Sequence, residues 1–221
     1  MNAKICEVFK SIQGEGLYRG MDQLFVRFFG CNLECSFCDT KLQNFREVSL
    51  TELVEQILSF TGYDYVSLTG GEPLLQESFI KELARILKEK NKKVYLETNG
   101  VLYEQLDNVI ENIDIIAMDF KLPSSTGLKD FWFYHREFLK IAQRKKVFVK
   151  AVVGLSTRIE DVRIALAVIQ EVNPNIPLVL QPENPHEGVL NEKLRYFDKV
   201  CRESKVKVEI ISQLHKELGI K

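Results

Sequence analysis

Short apolar runs and longer amphipathic stretches alternate along most of this chain, and this pattern predicts a parallel sheet whose strands are connected by helices. Candidate strands are the apolar runs 23–29, 65–69, 94–98, 115–120, 147–153, 177–181 and 207–211. Between them, apolar positions repeat at helical spacing over 49–60, 77–90, 102–112, 158–172 and 190–203. The first of these stretches begins with Ser49 and carries Glu52 three positions later, which is the pattern of a capping box.

The composition of the chain agrees with this predicted fold. The 221 residues are 45% hydrophobic and 28% charged, which suits a single domain over residues 1–221. The formal net charge of −1 predicts no extended basic surface, so nucleic acid is not an expected partner. The apolar runs are too short to cross a membrane and the N-terminus lacks a secretory signal. A soluble, cytoplasmic protein with reduced thiols is therefore expected.

One short loop carries the most informative chemistry, because it contains Cys31, Cys35 and Cys38. Three thiolates can bind three irons of a [4Fe–4S] cluster and leave the fourth iron open to a reactant. The loop therefore predicts a reactive cluster with these three cysteines as its ligands. Zinc with a distant fourth ligand remains an alternative. A disulfide is less favoured, since five cysteines leave one unpaired.

The loop resembles the CxxxCxΦC signature of the radical S-adenosylmethionine (SAM) superfamily, with Phe37 as the aromatic residue Φ. The run 70–73, Gly-Gly-Glu-Pro, follows a predicted strand about thirty residues downstream of the cysteines. Two glycines let a backbone approach a ligand closely, and the superfamily's GGE segment contacts the amino group of SAM. The resemblance assigns Gly70, Gly71 and Glu72 to SAM, while an ordinary strand-to-helix turn is the alternative.

The resemblance also implies the fold, an α/β partial (βα)6-type TIM barrel of parallel strands, with reactive groups at the carboxyl ends of the strands. The alternation alone would fit a doubly wound sheet equally well. Polar residues do follow the predicted strands, as such a barrel requires. The remaining residues that the resemblance assigns to SAM are Phe37, Asp39, Glu97, Lys121, Ser124 and Gln181. Turn and solvated-loop roles are the alternatives for them.

The N-terminal run 10–40 resembles the start of the 7-carboxy-7-deazaguanine synthases, a branch of the radical SAM superfamily. The matching features are the QGEG segment 13–16, Arg27 before the cysteine loop, and the Cys-Asp-Thr run 38–40. The tail 212–220 also resembles the tail of that family. These motifs occur in order over essentially the whole chain.

This resemblance implies a reaction in which 6-carboxy-5,6,7,8-tetrahydropterin becomes 7-carboxy-7-deazaguanine with loss of ammonia, a step toward queuosine and related deazapurines. The reduced cluster would cleave SAM to methionine and a 5′-deoxyadenosyl radical, which would take hydrogen from C6 of the substrate. The ring would contract and SAM would be regenerated. The protein would supply orientation and a pocket that excludes water.

A carboxylated pterin calls for a bidentate cation, so Arg27 is the first choice for the carboxylate and His215 the second. A surface ion pair and an exposed helix residue are the respective alternatives. The residues that the resemblance assigns to the substrate are Ile12, Gln13, Gly14, Glu15, Arg27, Thr69, His215 and Lys221. Thr40 matches the family's Mg²⁺ position, with a helix N-cap as the alternative.

The remaining histidines and cysteines are expected to be structural. His135 and His186 are predicted as exposed helix residues, and Cys6 and Cys201 as small buried hydrophobes. The resemblance further implies an external one-electron reductant of the flavodoxin or ferredoxin type, and a homodimer. Two other functions stay open: an activase of a glycyl radical enzyme, and a non-catalytic iron–sulfur or zinc module. The QGEG segment and the tail argue against the first, and the GGEP run argues against the second.

Overall fold

The computed structural model describes residues 1–38, 44–183, 187–214 and 219. In this part of the chain, nine strands form one sheet in the order β3-β1-β2-β4-β5-β6-β7-β8-β9. The strands are β1 (Asn2–Ile12), β2 (Asp22–Phe28), β3 (Arg46–Ser49), β4 (Tyr65–Gly70), β5 (Lys93–Thr98), β6 (Ile115–Asp119), β7 (Lys146–Val153), β8 (Leu178–Pro182) and β9 (Val208–Ile210). The two edge strands are β3 and β9, so the sheet is an open, partial barrel.

Helices connect the strands along the outer side of the sheet. They are α1 (Leu50–Ser59), α2 (Glu77–Glu89), α3 (Tyr103–Val109), the short α4 (Pro123–Thr126), α5 (Trp132–Ala142), α6 (Ile159–Val172) and α7 (Glu187–Cys201). Short 3-10 turns cover Gly16–Tyr18, Pro73–Gln76 and Ile110–Asn112. At the start of α1, the Ser49 hydroxyl accepts a hydrogen bond from the Glu52 backbone N–H at 3.3 Å, which confirms the predicted cap.

The predicted fold class is confirmed. Strand β2 and strands β4 to β9 pair in parallel, and each of them overlaps one of the seven predicted strands. The five predicted helical stretches correspond to α1, α2, α3, α6 and α7. The hydrophobic pattern of the sequence therefore predicted this alternation of strands and helices correctly.

The sequence pattern missed β1, β3 and α5. Strand β1 runs antiparallel to both β2 and β3, so it extends the sheet beyond the parallel core. It is only partly buried along most of its length, and such a strand lacks the continuous apolar run of a central one. Helix α5 packs against α3 and α6.

Alternate residues of each strand face opposite sides of the sheet. In β2, Leu24, Val26 and Phe28 belong to the large core between the sheet and the helices, whereas Phe25 and Arg27 line the concave side. A second, smaller core fills the bottom of this concave side. It consists of Tyr95, Ile115, Ala117, Phe148 and Val179, with Tyr18, Tyr65 and Ile211 packed against it.

No helix in the described part of the chain is both long enough and apolar enough to cross a membrane.

Candidate active site

A cavity of about 1040 Å³ opens at the carboxyl ends of the parallel strands, above the small inner core. Its size lies at the upper end of ordinary ligand pockets, which reach about 1,000 Å³. The predicted site residues that line it are Ile12, Gln13, Gly14, Glu15, Arg27, Cys31, Cys35, Phe37, Cys38, Thr69, Gly70, Gly71, Glu97, Lys121 and Gln181. Residues far apart in the sequence therefore meet in one place, as a barrel site requires.

The cysteine loop lies at the mouth of this cavity and is tied to α4. The backbone N–H of Ser36 donates to the Thr126 carbonyl oxygen at 3.0 Å, and its hydroxyl donates to the Ser125 carbonyl oxygen at 3.1 Å. Within the loop, the Cys38 N–H donates to the Cys35 carbonyl oxygen at 3.1 Å. These bonds hold the loop so that its cysteines face the cavity.

The three thiols line the same cavity, and thiolates are the ligands that an iron–sulfur cluster uses. Burial raises the pKa of both Cys31 and Cys35, and Lys121 opposes that rise at each of them. In the described residues, no three side chains of His, Cys, Asp or Glu converge closely enough to hold a single metal ion. A [4Fe–4S] cluster does not need such convergence, because each thiolate binds a different iron.

The two glycines of the GGEP run pack against backbone. A Cβ on Gly71 would overlap the carbonyl group of Gly30 and lie 2.9 Å from Cys31 Cβ, and one on Gly70 would lie 2.6 Å from Phe28 N. Gly70 also has a φ of +143°, a region that residues with a side chain rarely adopt. The glycines were expected to make room for a ligand. In the folded chain the glycines also allow the close approach of β4 to β2 and to the start of the cysteine loop.

Replacing Gly71 by Ala should therefore displace Cys31 and lower cluster occupancy. The added Cβ would force the Gly30–Cys31 backbone outward, an overpacking change that costs about 1–3 kcal/mol. We expect an anaerobically reconstituted Gly71→Ala protein to hold clearly less iron and sulfide per chain than the wild type. Gly188→Ala is the matched control, because a Cβ there meets nothing within 4 Å. Equal cluster content in both variants would contradict this role of Gly71.

Glu72, which was assigned to SAM as part of the Gly-Gly-Glu segment, is not among the residues that line the cavity. Its carboxylate is fully buried and accepts hydrogen bonds from Thr98 Oγ1 at 2.9 Å, from Asn99 N at 2.8 Å and from Leu74 N at 3.1 Å. Burial raises the pKa of Glu72 to about 7, although these bonds oppose the rise. The side chain joins the carboxyl end of β4 to that of β5, and so aligns two edges of the cavity.

Ser124 does not line the cavity either, whereas Lys121 does. The Ser124 hydroxyl donates to Asp161 Oδ2 at 2.5 Å and accepts from Arg158 N at 2.8 Å, so it connects α4 to α6. The predicted contact of Ser124 with SAM is therefore not supported. Lys121 Nζ donates to Asp119 Oδ2 at 2.9 Å and lies 5.4 Å from the centre of the Phe37 ring.

Glu97 lies in the cavity wall, and its carboxylate accepts hydrogen bonds from three uncharged side chains. Its Oε1 accepts from Gln13 Nε2 at 2.7 Å and from Ser67 Oγ at 3.0 Å, and its Oε2 accepts from Thr69 Oγ1 at 2.9 Å. Three segments of the chain are thus joined by one carboxylate. The arrangement fixes Gln13 and Thr69, two residues that were predicted to bind the substrate.

Arg27 reaches the cavity from β2 with its orientation set by β1. Its Nε donates to Glu7 Oε1 at 2.8 Å, and its guanidinium carbon lies 5.6 Å from the centre of the Phe9 ring. Both side chains of the pair are largely buried, at 22% and 27% exposed. An Arg held through Nε keeps its terminal nitrogens for a planar acceptor such as a carboxylate.

Glu15 contacts Lys150 and Gln213, which the sequence motifs did not place in the site. Glu15 Oε2 accepts from Lys150 Nζ, and its Oε1 accepts from Gln213 Nε2 at 2.5 Å. Lys150 Nζ also lies 3.7 Å from Asp119 Oδ2. The sequence feature that pointed to Lys150 and Asp119 as site residues was their position at the ends of predicted strands. It did not indicate which ligand or side chain each would meet.

Two predictions for single residues were wrong. His135 is fully buried rather than exposed, and its ring stacks on Phe120 at 4.7 Å. Burial lowers the pKa of His135 to about 3, so the ring is neutral. Its helix, α5, had not been predicted, so the burial of this face could not be foreseen. Cys6 is only partly buried and lines the cavity, whereas Cys201 is buried as expected.

Five predicted positions lie outside the described residues. They are Asp39 and Thr40 after the cysteine loop, and His186, His215 and Lys221 toward the C-terminus.

The cysteine loop, the GGEP turn and the cavity at the strand ends together define a class of protein. The family model described as the radical SAM superfamily matches residues 25–171. The chain therefore belongs to the radical SAM superfamily and is a radical SAM enzyme, and this membership implies a [4Fe–4S] cluster and SAM.

Curated relatives show which family within the radical SAM superfamily the chain belongs to. A 7-carboxy-7-deazaguanine synthase of Geobacter sulfurreducens is 38% identical over 98% of this chain and 97% of its own length. One from Methanocaldococcus jannaschii is 32% identical over 98% of this chain and 99% of its own length. The chain belongs to the 7-carboxy-7-deazaguanine synthase family. QueE from Escherichia coli shares the fold, with a TM-score of 0.66 at 19% identity over 95% of this chain and 94% of that one.

Proposed function

We propose that this chain is a single catalytic domain that converts 6-carboxy-5,6,7,8-tetrahydropterin into 7-carboxy-7-deazaguanine and ammonia, on a route to queuosine or a related deazapurine. The observation that carries the proposal is one cavity lined by both the cysteine loop and Arg27, Gln13 and Glu15. A cluster site and a polar site for a carboxylated heterocycle therefore face the same space. Full-length similarity to curated relatives of that name supports the choice of substrate.

In this proposal, Cys31, Cys35 and Cys38 would hold the cluster. When bound, the cluster and SAM would supply the radical chemistry that removes a hydrogen atom from C6 of the substrate. The backbone of Gly70 and Gly71 and the side chains of Lys121 and Gln181 line the side of the cavity assigned to SAM. Gln181 Oε1 is a buried acceptor without a protein partner, as a ligand-binding amide would be.

The substrate occupies the other side, between β1, β2 and the segment 12–15. The terminal nitrogens of Arg27 bind the substrate carboxylate, while Glu15 and Gln13 face the donors and acceptors of the pterin ring. Thr69 and Glu97 keep Gln13 in place through the bonds described above. The small inner core closes the bottom of the cavity and keeps water from the reacting carbon.

Further parts of the proposal rest on family resemblance and solubility arguments. They are Mg²⁺ at Thr40, substrate contacts from Ile12, Gly14, His215 and Lys221, SAM contacts from Phe37 and Asp39, a homodimer, a flavodoxin-like or ferredoxin-like reductant, and a cytoplasmic location. Mg²⁺ prefers oxygen ligands and retains waters or substrate oxygens, so a threonine hydroxyl and a substrate carboxylate are both suitable ligands.

The experiment that tests the function is an anaerobic conversion assay. The protein is reconstituted with iron and sulfide, then given SAM, dithionite, Mg²⁺ and the carboxytetrahydropterin. We expect 7-carboxy-7-deazaguanine by mass spectrometry, with many products formed per SAM consumed. SAM cleavage without that product would reject the proposed substrate and favour the glycyl radical activase. No SAM cleavage by fully loaded protein would favour a non-catalytic module.

A further inference from the structure

Four charged side chains form a row of alternating sign along the cavity wall: Glu15, Lys150, Asp119 and Lys121. Lys150 pairs with Glu15, lies 3.7 Å from Asp119 Oδ2, and shares that oxygen with Lys121 Nζ at 2.9 Å. Strands β6 and β7 place Asp119 directly beside Lys150 in register. The row thus connects the segment assigned to the pterin with Lys121, whose Nζ lies 5.4 Å from the centre of the Phe37 ring in the cysteine loop.

Lys150 is the centre of this row, and its side chain is only 15% exposed. Burial alone would lower the pKa of Lys150, but Glu15 and Asp119 outweigh it and raise the pKa above its ordinary value. The ammonium group therefore stays charged. Removing one member of a buried pair leaves the other charge uncompensated, and this costs far more than exchanging both for neutral groups.

Glu15 is the member of the row that faces the substrate side. Lys150 holds its Oε2 and Gln213 holds its Oε1, so both carboxylate oxygens have fixed directions. The Leu214 N–H also donates to the Gly14 carbonyl oxygen at 2.8 Å, which places the C-terminal segment against the same loop. A carboxylate held in this way accepts additional N–H donors without first being reoriented.

We propose that Lys150 is a positioning residue for substrate recognition, which keeps the Glu15 carboxylate turned into the cavity so that it can accept N–H donors of the pterin ring. This inference rests on the proposed function, since it names the substrate of that site. Lys150 holds one carboxylate oxygen of Glu15, so without Lys150 the Glu15 side chain would lose its fixed direction. Loss of the cation would thus change what the site recognises.

Several other charged or titratable groups line the same wall. Asp119 on β6 and Glu97 on β5 add negative charge near Lys150, and the Tyr95 phenol on β5 lies close enough to interact with both Glu15 and Glu97. Lys121 contacts the row through Asp119. Loss of Lys150 would leave the carboxylates of this wall without the cation that contacts both Glu15 and Asp119.

The test measures pterin binding to the cluster-loaded protein with SAM near neutral pH. We expect Lys150→Met to weaken binding on the order of 10-fold, because the Glu15 carboxylate loses the group that holds its Oε2. Lys150→Arg, which keeps the cation, should bind much more tightly than Lys150→Met. Lys146→Met at the exposed start of β7 is the matched control and should bind like the wild type.

A double variant separates positioning from general damage. If Lys150 acts through Glu15, the Lys150→Met/Glu15→Gln protein should bind the pterin no worse than Glu15→Gln alone. Iron content and circular dichroism confirm that each variant is folded. Additive losses, or wild-type binding by Lys150→Met, would overturn the inference while conversion by the wild type stands. A loaded wild type that neither binds nor converts the pterin overturns the inference together with the proposed function.

Discussion

Cys35→Ala will abolish the brown absorbance of the reconstituted protein and its cleavage of SAM. Cys35 is one of three thiols on the loop at the mouth of the cavity, and the other cysteine that lines this cavity, Cys6, belongs to β1 and not to the loop. A cluster held by only two thiolates loses a third of its protein ligands, so it should be lost or badly depleted. The measurement is iron and sulfide per chain together with the visible absorption spectrum, after anaerobic reconstitution.

Cys201→Ala is the control for this experiment. Cys201 is buried between α7 and the sheet, far from the loop in sequence and 1% exposed. Its replacement should cost some stability by removing a buried sulfur, yet leave the cluster content unchanged. A Cys35→Ala protein that carries a full cluster would reject Cys35 as a ligand and reopen the question of which residues bind the metal.

Arg27→Ala will remove most of the substrate turnover while dithionite-driven cleavage of SAM continues. The terminal guanidinium nitrogens are proposed to bind the substrate carboxylate, and truncating one partner of a buried charge pair costs about 2–5 kcal/mol. A loss near the lower part of that range, about 2.7 kcal/mol, corresponds to a 100-fold fall in kcat/KM. The cluster and the SAM side of the cavity do not depend on Arg27. Substrate kinetics and SAM cleavage are measured on the same preparation.

Two comparisons keep this prediction specific to Arg27. Arg85→Ala removes an exposed arginine that pairs with Glu82 and Glu89 on α2, so its kinetics should match those of the wild type. Arg27→Lys keeps the charge but loses the fork geometry and the bond from Nε to Glu7, so it should recover only a minor part of the activity. Unchanged turnover in Arg27→Ala would remove Arg27 from the substrate site.

The parallel core of the fold was predictable because its strands are buried on both faces and therefore form continuous apolar runs. Strand β1 was not predictable in this way, since its burial is partial and its partners are antiparallel. Helix α5 was missed as well. His135 was therefore misjudged, because the face of α5 that it occupies packs against Phe120.

The site was predictable where a motif restricts residue types and spacing. The cysteine spacing and the GGEP run located one edge of the cavity, and family resemblance located Gln13, Glu15 and Arg27 at the other. These motifs could not predict the direction in which each side chain points. The carboxylate of Glu72 turns toward the backbone of Asn99, away from the cavity, and only the folded chain shows this.

Lys150 and Asp119 show a different limit of prediction from the sequence. They are 31 residues apart in the sequence and meet only because β6 and β7 are neighbours in register. A charged residue on a strand end can face a ligand, a salt bridge or solvent, and spacing does not distinguish these outcomes. The pairing of Lys150 with Glu15 depends on the N-terminal segment folding over the carboxyl ends of the strands.

The measurement that tests the central claim most directly is the fate of deuterium from a substrate labelled at C6. The protein is loaded with its cluster, reduced under anaerobic conditions and given SAM and the labelled carboxytetrahydropterin. We predict unlabelled 7-carboxy-7-deazaguanine, and deuterium in the recovered SAM at the carbon that joins the ribose to sulfur. Absence of the product, or product formed with no deuterium in SAM, would contradict the account.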